Sequence, residues 1–160
     1  MTIEIICVGK LKEKFWTAAA EEYSKRLSRF CRLNISELPE TRLAGEGEAA
    51  EQAVIRSESE ALASRLPSGP DCFSIALDVK GRELSSEEFA LRLSELQLQG
   101  KSRISFLIGG SLGMSEELKA RCDMRLSFSK MTFPHQLMRV IMLEQIYRAF
   151  KINAGEKYHK

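Results

Sequence analysis

Two stretches of this chain are predominantly apolar, without the strict alternation of a half-wet strand: CFSIALDV at 72–79 and ISFLIGG at 104–110. A strand with one wet face alternates polar and apolar residues, whereas a strand covered on both faces of a parallel sheet does not need to. These two runs therefore predict the centre of a parallel sheet with helices on either side. The remaining segments fit that frame. TIEIICVG (2–9) reads as a strand closed by Gly9, and residues 14–30 place Phe15, Ala19, Tyr23, Leu27 and Phe30 at helical spacing. CRLNISEL (31–38) alternates as a half-buried strand. After the loop PETRLAGEGE, residues 48–66 form an amphipathic helix on Val54, Ile55, Ala61, Leu62 and Leu66, and PSGPD ends it.

Beyond the first central strand, KGR (80–82) reads as a loop. Ser85 and Glu88 then match a capping box for a helix that buries Phe89, Leu93 and Leu96 and stops at Gly100. Ser115 caps a short helix with Glu116 and Glu117 in its first turn. MRLSF (124–128) is a last short strand, and Pro134 opens the final helix at its first position. Strand and helix alternate without repeats or linkers, so 1–160 is expected to be one α/β domain with a mostly parallel sheet flanked by helices.

Composition narrows the function classes. At 44% hydrophobic and 29% charged residues the chain is globular. No apolar run reaches the roughly 18 residues of a membrane span, and MTIEIICVGK has neither the basic start nor the long apolar core of a signal peptide. A cytoplasmic protein is expected. Cys7, Cys31, Cys72 and Cys122 are scattered, with no CxxC, and read as buried thiols. With only two histidines, His135 and His159, no metal site is expected. Net charge is +2, but residues 1–33 carry seven Lys and Arg against four Glu, and 148–160 carry four against one. The basic ends make one patch if they meet in space, and are plain solvated ends if they do not.

Ligands of parallel sheets bind beyond the carboxyl ends of the strands. Three loops lie there: LDVKG (77–81), IGGSLG (108–113) and FSKMTF (128–133). GGSLG is neither GxGxxG nor a P-loop; it is either a tight turn or a place where backbone without Cβ approaches a flat ring. No cysteine stands near a histidine with a third orienting group. The paired glutamates sit at helix starts, where the dipole explains them. What survives is chemistry done by positioning, with a cofactor that carries its own activated group.

VGKLKEKFW, IGGSLG, LSFSKMTFPHQLMRVIMLEQIYRAFKI and the closing YHK closely resemble the ribosomal RNA large subunit methyltransferase H family, of the SPOUT (α/β-knot) class. The likeness runs from residue 2 to 160 and is densest from 104 onward. It implies a SPOUT fold with a C-terminal trefoil knot, a homodimer, and S-adenosylmethionine as cofactor. The implied activity is methylation of N3 of a pseudouridine in helix 69 of 23S rRNA, on assembled ribosomes. Carried over, the cofactor contacts fall on Leu77, Gly109, Phe128, Ser129, Lys130, Met131, Thr132 and Phe133. Arg139, Tyr158 and His159 become the candidates for orienting the base, stabilising its anion and accepting its proton. Lys157 and Lys160 become candidates for phosphate contact.

The final helix, with Val140, Ile141, Leu143, Ile146, Tyr147 and Phe150, carries more apolar surface than one small sheet covers. It is expected at the dimer interface, against the alternative of burial within one subunit. His135 at its mouth reads as a structural histidine; His159, on a polar tail, reads as RNA contact or chemistry. The rival readings are a SPOUT enzyme with another RNA target, a catalytically idle RNA-binding dimer, and a flavodoxin-like nucleotide binder.

Overall fold

In ISFLI the side chains alternate between two faces, yet Ile104, Phe106, Leu107 and Ile108 are all buried, because this strand lies mid-sheet with helices on both sides. A computed structural model describes residues 1–159. Its elements are β1 (Thr2–Val8), α1 (Lys14–Leu27), β2 (Arg32–Leu38), α2 (Glu48–Ser64), β3 (Cys72–Glu83), α3 (Ser86–Leu98), β4 (Arg103–Ile108), α4 (Glu116–Arg121), β5 (Met124–Ser127) and α5 (His135–Asn153). The five strands form one sheet in the order β2-β1-β4-β3-β5, and every pairing is parallel.

Residue parity divides the core. Ile3, Ile5, Ile75, Ile104 and Phe106 pack beneath α1, α3 and α5. Ile6, Val8, Ala76 and Leu107 pack against Leu62 of α2 and Leu118 of α4. The capping box is present in full: Ser85 Oγ accepts from the Glu88 N–H, and Glu88 accepts from the Ser85 N–H at 2.7 Å.

Three local readings change. KGR is not a free loop, since β3 leaves β5 after Leu77 and rejoins it at Arg82, so the strand runs to Glu83. Gly81 permits this: a Cβ there would lie 2.7 Å from the Leu126 carbonyl carbon. The sequence hid the extension because Lys80, Arg82 and Glu83 are exposed and break the apolar run. Pro134 is the N-cap, with extended backbone, and His135 is the first helical residue. The first two helices end two or three residues earlier than their apolar spacing suggests.

α5 lies in the groove between α1 and α3. Met142, Leu143, Ile146 and Ala149 are buried against the sheet, Tyr147 meets Phe30 at 5.9 Å, and Phe150 stacks on Phe30 at 5.6 Å. Most of the apolar excess of this helix is thus consumed within the chain, with Val140 and Ile141 only half-buried. The amino ends of the helices follow from the same packing. β5 lies at one edge of the sheet, but the Lys12 N–H donates to Gln136 Oε1 at 2.9 Å, so α5 starts beside the β1–α1 loop. Residues 128–134 therefore cross the carboxyl ends of β3 and β4.

Ile146→Glu places a carboxylate in the sheet-facing core and should cost several kcal/mol, leaving no cooperative thermal transition. Ile141→Glu, at a half-buried position, should melt within a few degrees of the parent protein. Circular dichroism melting curves test both.

Candidate active site

Where 128–134 crosses the sheet it roofs a cavity of about 610 Å³. The floor is the carboxyl ends of β3 and β4, and one wall is the Gly109–Met114 turn. That turn closes on itself: the Gly113 N–H donates to the Gly110 carbonyl at 3.1 Å, and Gly113 has φ +83°, where a Cβ is strained. A Cβ on Gly109 would sit 2.8 Å from the Gly113 carbonyl carbon, so this glycine is required by the turn itself as well as by anything lying against it. From behind, α2 braces the turn. Ser59 Oγ accepts from the Ser115 N–H at 2.8 Å, and the buried Glu58 carboxylate presses on Gly110 while accepting from the Thr41 N–H at 2.9 Å.

The roof is ordered by Ser127 and Ser129. Ser127 Oγ lies 3.1 Å from the Val79 carbonyl and 3.0 Å from that of Ser129, and Ser129 Oγ accepts from the Met131 N–H at 3.0 Å. Of the eight residues carried over as cofactor contacts, the cavity brings together Leu77, Gly109, Phe128, Ser129, Met131, Thr132 and Phe133. Lys130 is exposed and does not line it.

Three wall residues escaped the sequence reading. Asp78 follows Leu77, the last residue of the first half of β3 to pair with β5, and its carboxylate lies 3.5 Å from Lys119 Nζ and 3.7 Å from the Arg125 guanidinium. An acidic residue at the carboxyl end of an apolar strand was the available signal. Met138 lines the cavity as well. His135 does too, and its Nε2 is buried 3.7 Å from Glu40 Oε1.

Arg139, Tyr158 and His159 are not brought together. Arg139 is 1% exposed; its guanidinium pairs with Glu37 and donates to the Gly9 carbonyl at 2.8 Å. Gly9, at φ +82°, also leaves room for Glu40, whose Oε1 a Cβ would meet at 2.6 Å. Tyr158 lies edge-on to Tyr147 at 5.0 Å, beneath the Arg148 guanidinium, and donates to Glu144 at 3.2 Å. Burial first, then Tyr23 and Glu144, push its phenol up to about 12. His159 Nε2 is 2.6 Å from Glu87 in the first turn of α3. The Glu87 carboxyl is held down to about 2, first by the backbone N–H at its own position and then by the imidazole. Neither tail residue lines the cavity, and Lys160 lies outside the described residues.

The basic ends do meet, since α1 packs along α5 and Lys25, Arg29 and Lys151 share one hollow with Glu22 and Glu156. The thiols of Cys7 and Cys31 are raised to about 11 by burial, which makes them weak nucleophiles. Among the described residues no three His, Cys, Asp or Glu side chains converge as metal ligands. Likewise, none of the described helices is long and apolar enough to cross a membrane.

A parallel sheet with a largely apolar cavity over its carboxyl ends defines an α/β protein built to bind a small organic ligand there. A family model described as "Predicted SPOUT methyltransferase" matches residues 1–159. Proteins named ribosomal RNA large subunit methyltransferase H are 53% identical in Clostridium novyi and 52% identical in Clostridium kluyveri, each covering 100% of both chains. A solved structure of a probable methylase family protein from Haemophilus influenzae Rd KW20 superposes with a TM-score of 0.55. It is 15% identical and covers 99% of this chain and 70% of the other, and so bears on the fold alone. The chain belongs to the SPOUT methyltransferase family.

Two outcomes follow from this geometry. Gly109→Ala should destabilise the protein by about 1–3 kcal/mol through the clash within the turn, read from urea denaturation. The raised phenol of Tyr158 means that tail docking is intact below the ordinary tyrosine value near 10 and is lost as pH climbs through about 12. Tyrosinate absorbance, compared with Tyr158→Phe, should show the extra late-titrating phenol.

Proposed function

We propose that this chain is an S-adenosylmethionine-dependent methyltransferase acting on N3 of a pseudouridine in helix 69 of 23S rRNA, within assembled ribosomes. The observation that carries the reading is the full-length identity above 50% to proteins named for large-subunit rRNA methylation. The cavity is of a size that ordinarily holds a small cofactor. It is lined by seven of the eight residues on which the family resemblance puts the cofactor contacts.

Leu77, Gly109, Phe128, Ser129, Met131, Thr132 and Phe133 would hold the cofactor, with Lys130 on the outer side of the same loop. When bound, S-adenosylmethionine supplies a methyl group on a sulfonium, which needs alignment more than activation. The apolar walls exclude water, and the braced turns hold reacting groups in register. Tyr158 and His159 orient the target base, with Lys157 and Lys160 meeting phosphates. The high phenol of Tyr158 keeps it a hydrogen-bond donor at neutral pH. Arg139 acts from behind the cavity, where its contacts with Glu37 and the Gly9 carbonyl keep the start of α5, and with it the roof, in place.

The chain works as a cytoplasmic homodimer in this reading. The half-buried Val140 and Ile141 of α5 support it, as does the position of Tyr158 and His159 off the cavity of their own chain. The crossing of 128–134 over the sheet and the looping of β3 past β5 support the knotted path.

Isothermal calorimetry should find S-adenosylmethionine binding by the isolated protein. Deleting 156–160 should leave that binding and the oligomeric state near normal, yet abolish transfer of labelled methyl to ribosomes from cells lacking the gene. Nuclease mapping of the label should place it on one pseudouridine. Label on another nucleotide would replace the N3 assignment; absence of cofactor binding would remove the enzyme reading. Ile141→Glu should shift the dimer toward monomer in sedimentation.

A further inference from the structure

We propose that His135 is the proton acceptor for the base that is methylated, with Glu40 and Lys12 setting its charge. This rests on the methyltransferase reading above and names a group in the same site. Methylation at an imide nitrogen requires the N–H proton to leave, and a side chain must be on the cavity wall to receive it.

Among the described residues His135 is the one imidazole that lines the cavity; His159 lies against Glu87. The other candidates are committed elsewhere. Arg139 is a paired cation, Tyr158 keeps its proton, and the Asp78 carboxylate already faces Lys119 and Arg125.

The ring has an inner and an outer nitrogen. Nε2 is buried, has no hydrogen-bond partner, and sits 3.7 Å from Glu40 Oε1. Glu40 is held by Lys12 Nζ at 3.0 Å and fits because Gly9 has no side chain. A carboxylate beside Nε2 favours the tautomer protonated there, which leaves the Nδ1 lone pair for the cavity. A contact of 3.7 Å is too long for a hydrogen bond, and such contacts commonly tighten when substrate binds.

The step balances simply. The N3–H bond breaks, its proton forms a bond to Nδ1, and its electron pair stays on N3. That pair forms the bond to the methyl carbon as the carbon–sulfur bond breaks toward sulfur. The imidazolium returns its proton to water. The charged groups facing the ring are Glu40, which favours the cation, and Lys12 and the α5 amino terminus, which oppose it. Arg139, one turn further along, is neutralised by Glu37.

The test uses full-length protein and ribosomes lacking the modification. In single-turnover assays the rate of the wild-type protein should rise from acid to neutral pH. His135→Gln should lower the rate about 100-fold or more and abolish that rise, with S-adenosylmethionine affinity and melting temperature close to wild type. His159→Gln should keep the rise. In the His159→Gln background the remaining imidazole resonance is that of His135, and adding Glu40→Gln should move it by changing the ring tautomer, read from the ring nitrogen shifts without any need for activity. A His135→Gln protein with an unchanged rate or an unchanged pH profile would overturn the assignment. So would a loss of cofactor affinity in proportion to the loss of rate, which would make His135 a wall of the pocket only. An unmoved resonance would remove Glu40 and its tuning from the proposal. If wild type itself binds no cofactor and methylates no ribosome, the methyltransferase reading fails instead.

Discussion

The guanidinium of Arg139 ties three distant pieces of chain together. It projects from the second turn of α5, pairs with Glu37 near the end of β2, and donates to the Gly9 carbonyl where β1 turns into α1. At 1% exposure it has left water, so its charge is tolerable only while both partners stay in place. That requirement pins the start of α5 over β1, on the far side of the sheet from the end of β5. The segment between them then has no route except across the carboxyl ends of β4 and β3. The roof of the cavity is a consequence of where this ion pair holds the helix.

The opposite wall depends on close backbone approach. Gly109 lies where its Cβ would strike Gly113, Gly110 lies where its Cβ would strike Glu58, and Gly81 lies against the backbone of β5. Each contact brings main chain to within van der Waals range of other main chain or of a buried carboxylate. The turn is therefore stiff without any regular element of its own, and α2 supplies the brace through Glu58 and Ser59. A cavity made this way presents backbone groups in fixed positions, which suits alignment better than bond-making by side chains.

Much of this was legible in the residues. Predominantly apolar runs located the two central strands, the Ser85–Glu88 spacing located the head of α3, and the loops after the strands located the cavity. The parts that were not legible depend on long-range contacts. The burial of Arg139 requires Glu37 and Gly9, over a hundred positions away, and no local pattern marks an arginine for the core. How much of the apolar surface of α5 is covered within the chain was not legible either, because α1 and α3 are brought to that groove by topology alone. The approach of His135 to Glu40 was hidden for the same reason: Glu40 lies in a loop whose place beside α5 is set by the sheet order. The extension of β3 was hidden by polar residues that face solvent while still pairing with β5.

The tail is held by contacts of a different strength. Tyr158 rests edge-on against Tyr147 and under Arg148, and His159 pairs with an exposed Glu87. Partly exposed aromatic and ionic contacts of this kind contribute of order 1 kcal/mol or less each. No residue of the tail belongs to the buried core, so its release costs little and leaves the cavity walls undisturbed. For the activity proposed above, a rigid cavity and a weakly docked tail are what a small enzyme needs against a substrate far larger than itself. In that reading the cavity holds its geometry unaided, whereas the tail exchanges its own contacts for those of an RNA surface.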